Sequence, residues 1–173
     1  MNAALQSLMK GLVLAEVVDV DDPEKLGRVK VSFLTLSATE PGDWCDIARP
    51  LASGGFGIWV QPLPGDLVVA GFLEGRIEKP VILGAIFTGD AKPPTDKQPQ
   101  VMLQTRSGHS LLFDDTEGDE AITLTDKTGN MLKMSKDGIT IESPKDITLK
   151  GKNVTVEASA QLTGKGVPIH LNP

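Results

Sequence analysis

The sequence predicts an all-β chain in two parts, a small barrel followed by an array of short repeating strands. Three observations carry this. Apolar residues alternate at period two in almost every hydrophobic run, the mark of a half-buried strand, and none recurs at the helical period. Turn formers separate these runs throughout, and the 173 residues include 18 Gly and 12 Pro. In the last third, apolar pairs return every seven or eight residues from Leu132 onward, the mark of a stacked array.

Residues 1–10 are mildly amphipathic and are read as an N-terminal arm, a short helix or a frayed segment. Residues 11–87 hold the strand candidates of the barrel. These are 11–20, 27–36 with alternating Val29, Val31 and Phe33, 43–51 with Trp44 and Ile47, 56–61, 66–73 and 80–87. Turns are expected at Asp21-Asp22-Pro23, Glu40-Pro41-Gly42, Ser53-Gly54-Gly55, Pro64-Gly65-Asp66 and Glu74-Gly75. Five or six short strands in this length fit a barrel of the OB-fold type. Residues 88–100 contain three prolines and no large apolar side chain, and are read as a linker.

Residues 101–173 form the array. Its candidate inward-facing residues are Ile122 and Leu124, Leu132 and Met134, Ile139 and Ile141, Ile147 and Leu149, Val154 and Val156, Leu162, then Ile169 and Leu171. Each expected strand offers only one or two apolar side chains on one face. Such a narrow ladder encloses no core, and no other segment has apolar surface of matching length. Closure by copies of the same chain follows, with three ladders meeting along an axis. About nine strands spaced about 4.8 Å apart would give a rod on the order of 40 Å long.

Composition narrows the function classes. The net charge is −6 and the pI about 4.9, which argues against nonspecific binding to a phosphate backbone. Only Trp44 and Trp59 could serve as stacking platforms, so an OB protein that binds nucleic acid is a weaker alternative. A cell-wall hydrolase accessory would need a carboxylate pair in a cleft, and none is identifiable. Cys45 is the only cysteine, so no internal disulfide forms. No run reaches the length of a membrane span, and residues 1–9 lack the pattern of a secretory signal. Synthesis in the cytoplasm is expected.

Candidate chemical sites are weighed in turn. Asp19, Asp21, Asp22 and Glu24 lack the spacing of a calcium loop and read as a solvated turn around Pro23. Asp114, Asp115, Glu117, Asp119 and Glu120 read as a charged turn rather than a cation site. His109 after Ser107 has no acid partner or oxyanion context and is taken as a turn residue. Cys45 reads as a small core residue. Gly65, Gly75 and Gly84 read as turn or packing glycines.

Taken together, several stretches resemble the central spike of contractile injection systems, a family that includes phage baseplate assembly protein V, the R-type pyocin spike and the VgrG-like spikes of type VI secretion. In the barrel they are Val18-Asp19 to Asp22-Pro23, Leu26 to Val31, Trp44 with Ala48-Arg49-Pro50, Gly55 and Gly57, Pro62 to Asp66, Val68, Phe72, and Lys79 to Gly84. Beyond it they are Thr105 to His109, Phe113 to Thr116, Asp126 to Asn130 and the ending Pro168 to Asn172. The resemblance implies a homotrimer with an N-terminal OB-fold barrel and an intertwined triple-stranded β-helix. It implies assembly into a phage tail or injection-system particle beside a hub protein, the tube and other baseplate proteins. It also implies a structural, non-enzymatic spike that meets the target membrane only transiently. A PAAR-type tip protein would contact Ile169, His170, Leu171, Asn172 and Pro173. The trimer core would be Ile122, Leu124, Leu132, Met134, Ile139, Ile141, Ile147, Leu149, Val154, Val156 and Leu162. No cofactor is expected. Some spikes hold apical iron through His-x-His, but here the triplet is His170-Leu171-Asn172, and asparagine is a poor transition-metal ligand. His170 at the threefold axis is the single metal candidate.

Overall fold

A computed structural model of the chain describes residues 11–34 and 44–169. The chain divides into two compact units, with the division between Pro93 and Pro94.

The first unit is a closed five-stranded barrel. Its strands are β1 (Val13–Asp19), β2 (Val29–Phe33), β3 (Trp44–Ile47), β6 (Leu67–Phe72) and β7 (Pro80–Ala85), in the order β1-β2-β3-β7-β6. All neighbours run antiparallel except β3 and β7, which are parallel. Period-two alternation decides which side chains enter the barrel. Val13, Ala15 and Val17 of β1, Val29 and Val31 of β2, Cys45 of β3, Val68 and Ala70 of β6, and Ile82 of β7 form its buried core. Phe33 and Phe72 close one flank with ring centroids 5.6 Å apart.

The expected strand over 56–61 shrinks to β5 (Phe56–Gly57), which pairs only with β4 (Ala52–Ser53) in a separate hairpin. Ile58, Trp59 and Val60 stay exposed. The cause is a side-chain clasp. Arg49 stacks on the Trp59 ring, 4.2 Å from its centroid, and donates to the Val60 carbonyl at 2.6 Å. The run is thereby held away from the barrel ladder.

The second unit contains one five-stranded antiparallel meander. Its strands are β8 (Gln100–Gln104), β9 (Ser110–Asp114), β10 (Ala121–Thr125), β11 (Met131–Ser135) and β12 (Gly138–Glu142), paired in sequence order. In the single chain the ladder stops at β12. Among the described residues no strand follows Glu142, although strands were expected at Ile147–Leu149, Val154–Val156 and Leu162. Strands need a laterally bonded neighbour, and the single chain supplies none to this stretch. The pair Ile169 and Leu171 is described only at Ile169, and the arm over residues 1–10 and the turn at 40–42 lie outside the described residues.

Candidate functional site

The register of the meander places its apolar residues in two columns on one face. Val101, Phe113, Ile122, Met134 and Ile139 lie opposite one another across the ladder. So do Leu103, Leu111, Leu124, Leu132 and Ile141. The central column of the reverse face is Met102, Leu112, Thr123, Lys133 and Thr140. Most of the apolar columns face solvent in the single chain, and Ile141 is 62% exposed against 1% for Ile82 in the barrel core. Contiguous apolar surface of this extent marks an association site, because monomeric soluble proteins rarely leave it uncovered.

Of the expected trimer-core residues, Ile122, Leu124, Leu132, Met134, Ile139 and Ile141 share this face. Ile147, Leu149, Val154, Val156 and Leu162 are exposed and lie beyond the last strand. Val101, Leu103, Leu111 and Phe113 belong to the same face but were not chosen from the sequence. Their signal was present as the same i, i+2 spacing in 101–103 and 111–113. Of the expected tip contacts, Ile169 is exposed, and His170, Leu171, Asn172 and Pro173 lie outside the described residues.

The hairpin turns of this sheet are held by side chains. Asp126 accepts from the backbone N–H of Thr128 at 2.7 Å and of Asn130 at 3.0 Å, and from the Asn130 amide at 2.7 Å. Together with the Thr128 hydroxyl, these donors hold its carboxyl well below the usual range. At the β9–β10 turn, Asp114 accepts from the Thr116 hydroxyl at 2.6 Å and the Gln100 amide at 2.6 Å, which lowers its pKa. Glu120 accepts from the Gly118 N–H, and Asp119 pairs with exposed Lys136 at 3.6 Å. The acidic run 114–120 is thus turn chemistry. Thr105 organises the β8–β9 turn through His109 N–H at 3.0 Å. Among the described residues no group of three or more His, Cys, Asp or Glu is placed to hold a metal ion.

The expected solvated turn around Pro23 instead holds a buried charged cluster in the barrel. Asp22 is buried, and its oxygens accept from Arg28 Nη2 at 2.7 Å and Nε at 3.2 Å, and from the backbone N–H groups of Glu24, Leu26 and Arg28. The guanidinium, with those N–H groups, holds the carboxyl far below its ordinary value although burial opposes ionisation. The same ion pair pushes Arg28 upward. Asp22 in a turn, followed by Gly27-Arg28, was the available sequence signal. Gly27 has φ +77°, a backbone angle that favours glycine, and a Cβ there would lie 2.4 Å from the Trp59 ring and push it aside. Cys45 is fully buried in the core. No described helix is long and apolar enough to cross a membrane.

Two family models match the chain. The type VI secretion system/phage-baseplate injector OB domain matches residues 13–87. The phage baseplate V C-terminal trimerisation domain matches residues 100–169.

Proposed function

We propose that this chain, whose residues 13–87 match the injector OB domain and residues 100–169 the baseplate V trimerisation domain, is the central spike of a contractile tail or related injection system. The observation that carries this reading is the apolar face of the β8–β12 sheet. It is the surface a trimerisation domain needs, and it is uncovered in one chain. Three such faces meeting on an axis form a dry prism, and the stretch after Glu142 wraps into it by pairing with neighbouring chains. An intertwined triple-stranded β-helix of this kind resists bending and shear, because every strand is bonded laterally to another chain.

In this reading residues 11–87 form the barrel, 88–100 the linker and 101–173 the piercing rod. The barrels meet a hub protein and the tube end of the baseplate, and the rod's tip carries a PAAR-type protein through residues 169–173. The spike acts mechanically, not catalytically, and meets the target membrane only at piercing. Light scattering on the full chain tests the oligomer. A molar mass three times the 18.4 kDa chain supports the reading, and a stable monomer removes it.

A further inference from the structure

The outer surface of the barrel is divided. Outward residues on β2 and β3 are mostly polar, Lys30, Ser32 and Asp46, with half-buried Trp44 opposite Lys30. The contiguous strands β7, β6 and β1 present apolar side chains instead. Leu14 lies opposite Val69, Gly71 lies opposite Val81, and Leu83 is half exposed. Leu12 and Leu83 flank Gly71, where a Cβ would meet their methyl groups at 3.4 and 3.6 Å. Glu16, and Asp19 opposite Lys30 past the bulge of β1, are the charged residues among the outward positions of these three strands.

A second apolar patch lies in the segment between β3 and β6. Phe56, Ile58, Trp59 and Val60 are all exposed, with Trp59 at 65%. The patch is built rather than loose. Arg49 stacks on Trp59 and also donates to the Gly27 carbonyl at 3.2 Å and the Gln61 amide oxygen at 2.8 Å, and Gln61 in turn donates to the Arg28 carbonyl. These bonds fix the loop beside the start of β2 and the end of β3.

We infer that in the trimer the three barrels form a head-to-tail ring, the β7–β6–β1 face of each covering the Phe56–Val60 loop of the next. Threefold symmetry is the argument. A ring of three is closed by heterologous contacts, which need two different patches on every subunit. This barrel carries two, each apolar, and of opposite charge at their edges, Glu16 on one and Arg49 on the other. The contact can be small. The chain between Ala85 and Gln100 reaches at most on the order of 50 Å. The trimerisation domain therefore holds three barrels at an effective concentration of about millimolar. A patch too weak to pair free barrels pairs tethered ones. The inference rests on the trimer of the proposed function and adds to it which barrel surfaces meet.

Paired cysteines in the full chain test it. Ile58→Cys and Leu83→Cys both replace exposed side chains, and the unaltered chain, with buried Cys45, sets the background. With a short bis-maleimide, the double variant should give covalent trimers, and each single variant should give none. Light scattering on the same samples reports the trimer separately. A trimer that does not cross-link overturns the ring and leaves the spike reading standing. A monomer overturns both. Dimers from Leu83→Cys alone would place the apolar faces together on the axis and overturn the head-to-tail arrangement. A second readout needs no cysteine. In a Trp44→Phe chain, acrylamide should quench Trp59 slowly in the trimer and rapidly once Ile141→Asp separates the chains. Equal quenching in both states also overturns the ring.

Discussion

Ile141→Asp separates folding of the sheet from assembly of the trimer. Ile141 pairs with Leu132 at the open edge of the apolar face and is 62% exposed in the single chain. Little within the chain depends on it. Full burial of an isoleucine is worth about 1.5–3 kcal/mol, so the exposed part gains roughly 1–2 kcal/mol per chain on association. Three copies give about 3–6 kcal/mol per trimer. At about 1.4 kcal/mol per tenfold, losing that alone weakens assembly by about 100- to 10,000-fold. The carboxylate adds a desolvation cost of several kcal/mol per ion if it is buried, so this range is a lower bound. Thr140→Asp is the matched control. Thr140 lies on the reverse face opposite Lys133, where a carboxylate meets a cation. Light scattering across a dilution series should show Ile141→Asp as monomer and Thr140→Asp as trimer. If Ile141→Asp holds its trimer to the same dilution as the unaltered chain, the apolar face is not the assembly surface. If Thr140→Asp dissociates and Ile141→Asp does not, the two faces have been assigned the wrong way round, and if both dissociate, assembly does not depend on the apolar face in particular.

Other outcomes follow from the barrel. Ile82→Ala opens a cavity in a small core and should cost about 2–5 kcal/mol, read as a lower denaturant midpoint for the barrel transition. Gly27→Ala places a methyl group against the Trp59 ring at a backbone angle that favours glycine. It should shift Trp59 emission and cost about 1–3 kcal/mol of barrel stability, and an unchanged spectrum would contradict the clasp. Asp22→Asn tests the Arg28 pair through pH. The folded carboxyl titrates below its unfolded value of about 4, so its stabilisation is present above that value and is lost as pH falls below it. The unaltered barrel should therefore lose thermal stability in acid more steeply than Asp22→Asn, and parallel acid limbs in thermal melts would refute the coupling.

The barrel was legible because its burial is completed within one chain. Val13, Ala15 and Val17 alternate with exposed neighbours, and the strands that bury them come from the same sequence. Two features there were not legible. The run 56–61 has strand composition, but Arg49, seven or more residues away, captures Trp59 and Val60. Asp22 sits in a turn whose charges suggest solvent, yet Gly27 lets the chain return so that Arg28 covers it. Both depend on side chains that meet only after the backbone has turned. In the second unit the i, i+2 spacing marked Ile122 with Leu124 and Ile139 with Ile141 as sharing a face, and hairpin registers completed it. The same spacing at Ile147, Leu149, Val154 and Val156 gives no strand, because spacing predicts which side chains share a face and not whether a bonding neighbour is present.

That difference has a thermodynamic consequence. Among the described residues, β8 and β12 are the edges of the sheet and the stretch after Glu142 has no ladder. In water those backbone groups are solvated. Covering the apolar face removes water from them as well, so they must find partners in the same step. In the proposed trimer, burial of the face, pairing of the edges and strand formation over 143–169 therefore belong to a single association event. A barrel closed within one chain has no such dependence. Thermal melts of the full chain followed by circular dichroism should accordingly separate by concentration. Raising the chain concentration tenfold should move the transition of the second unit to higher temperature, since association stabilises it by mass action, and should move that of the barrel much less. A single transition that ignores concentration would mean that the sheet is complete within one chain and that its exposed columns have another use.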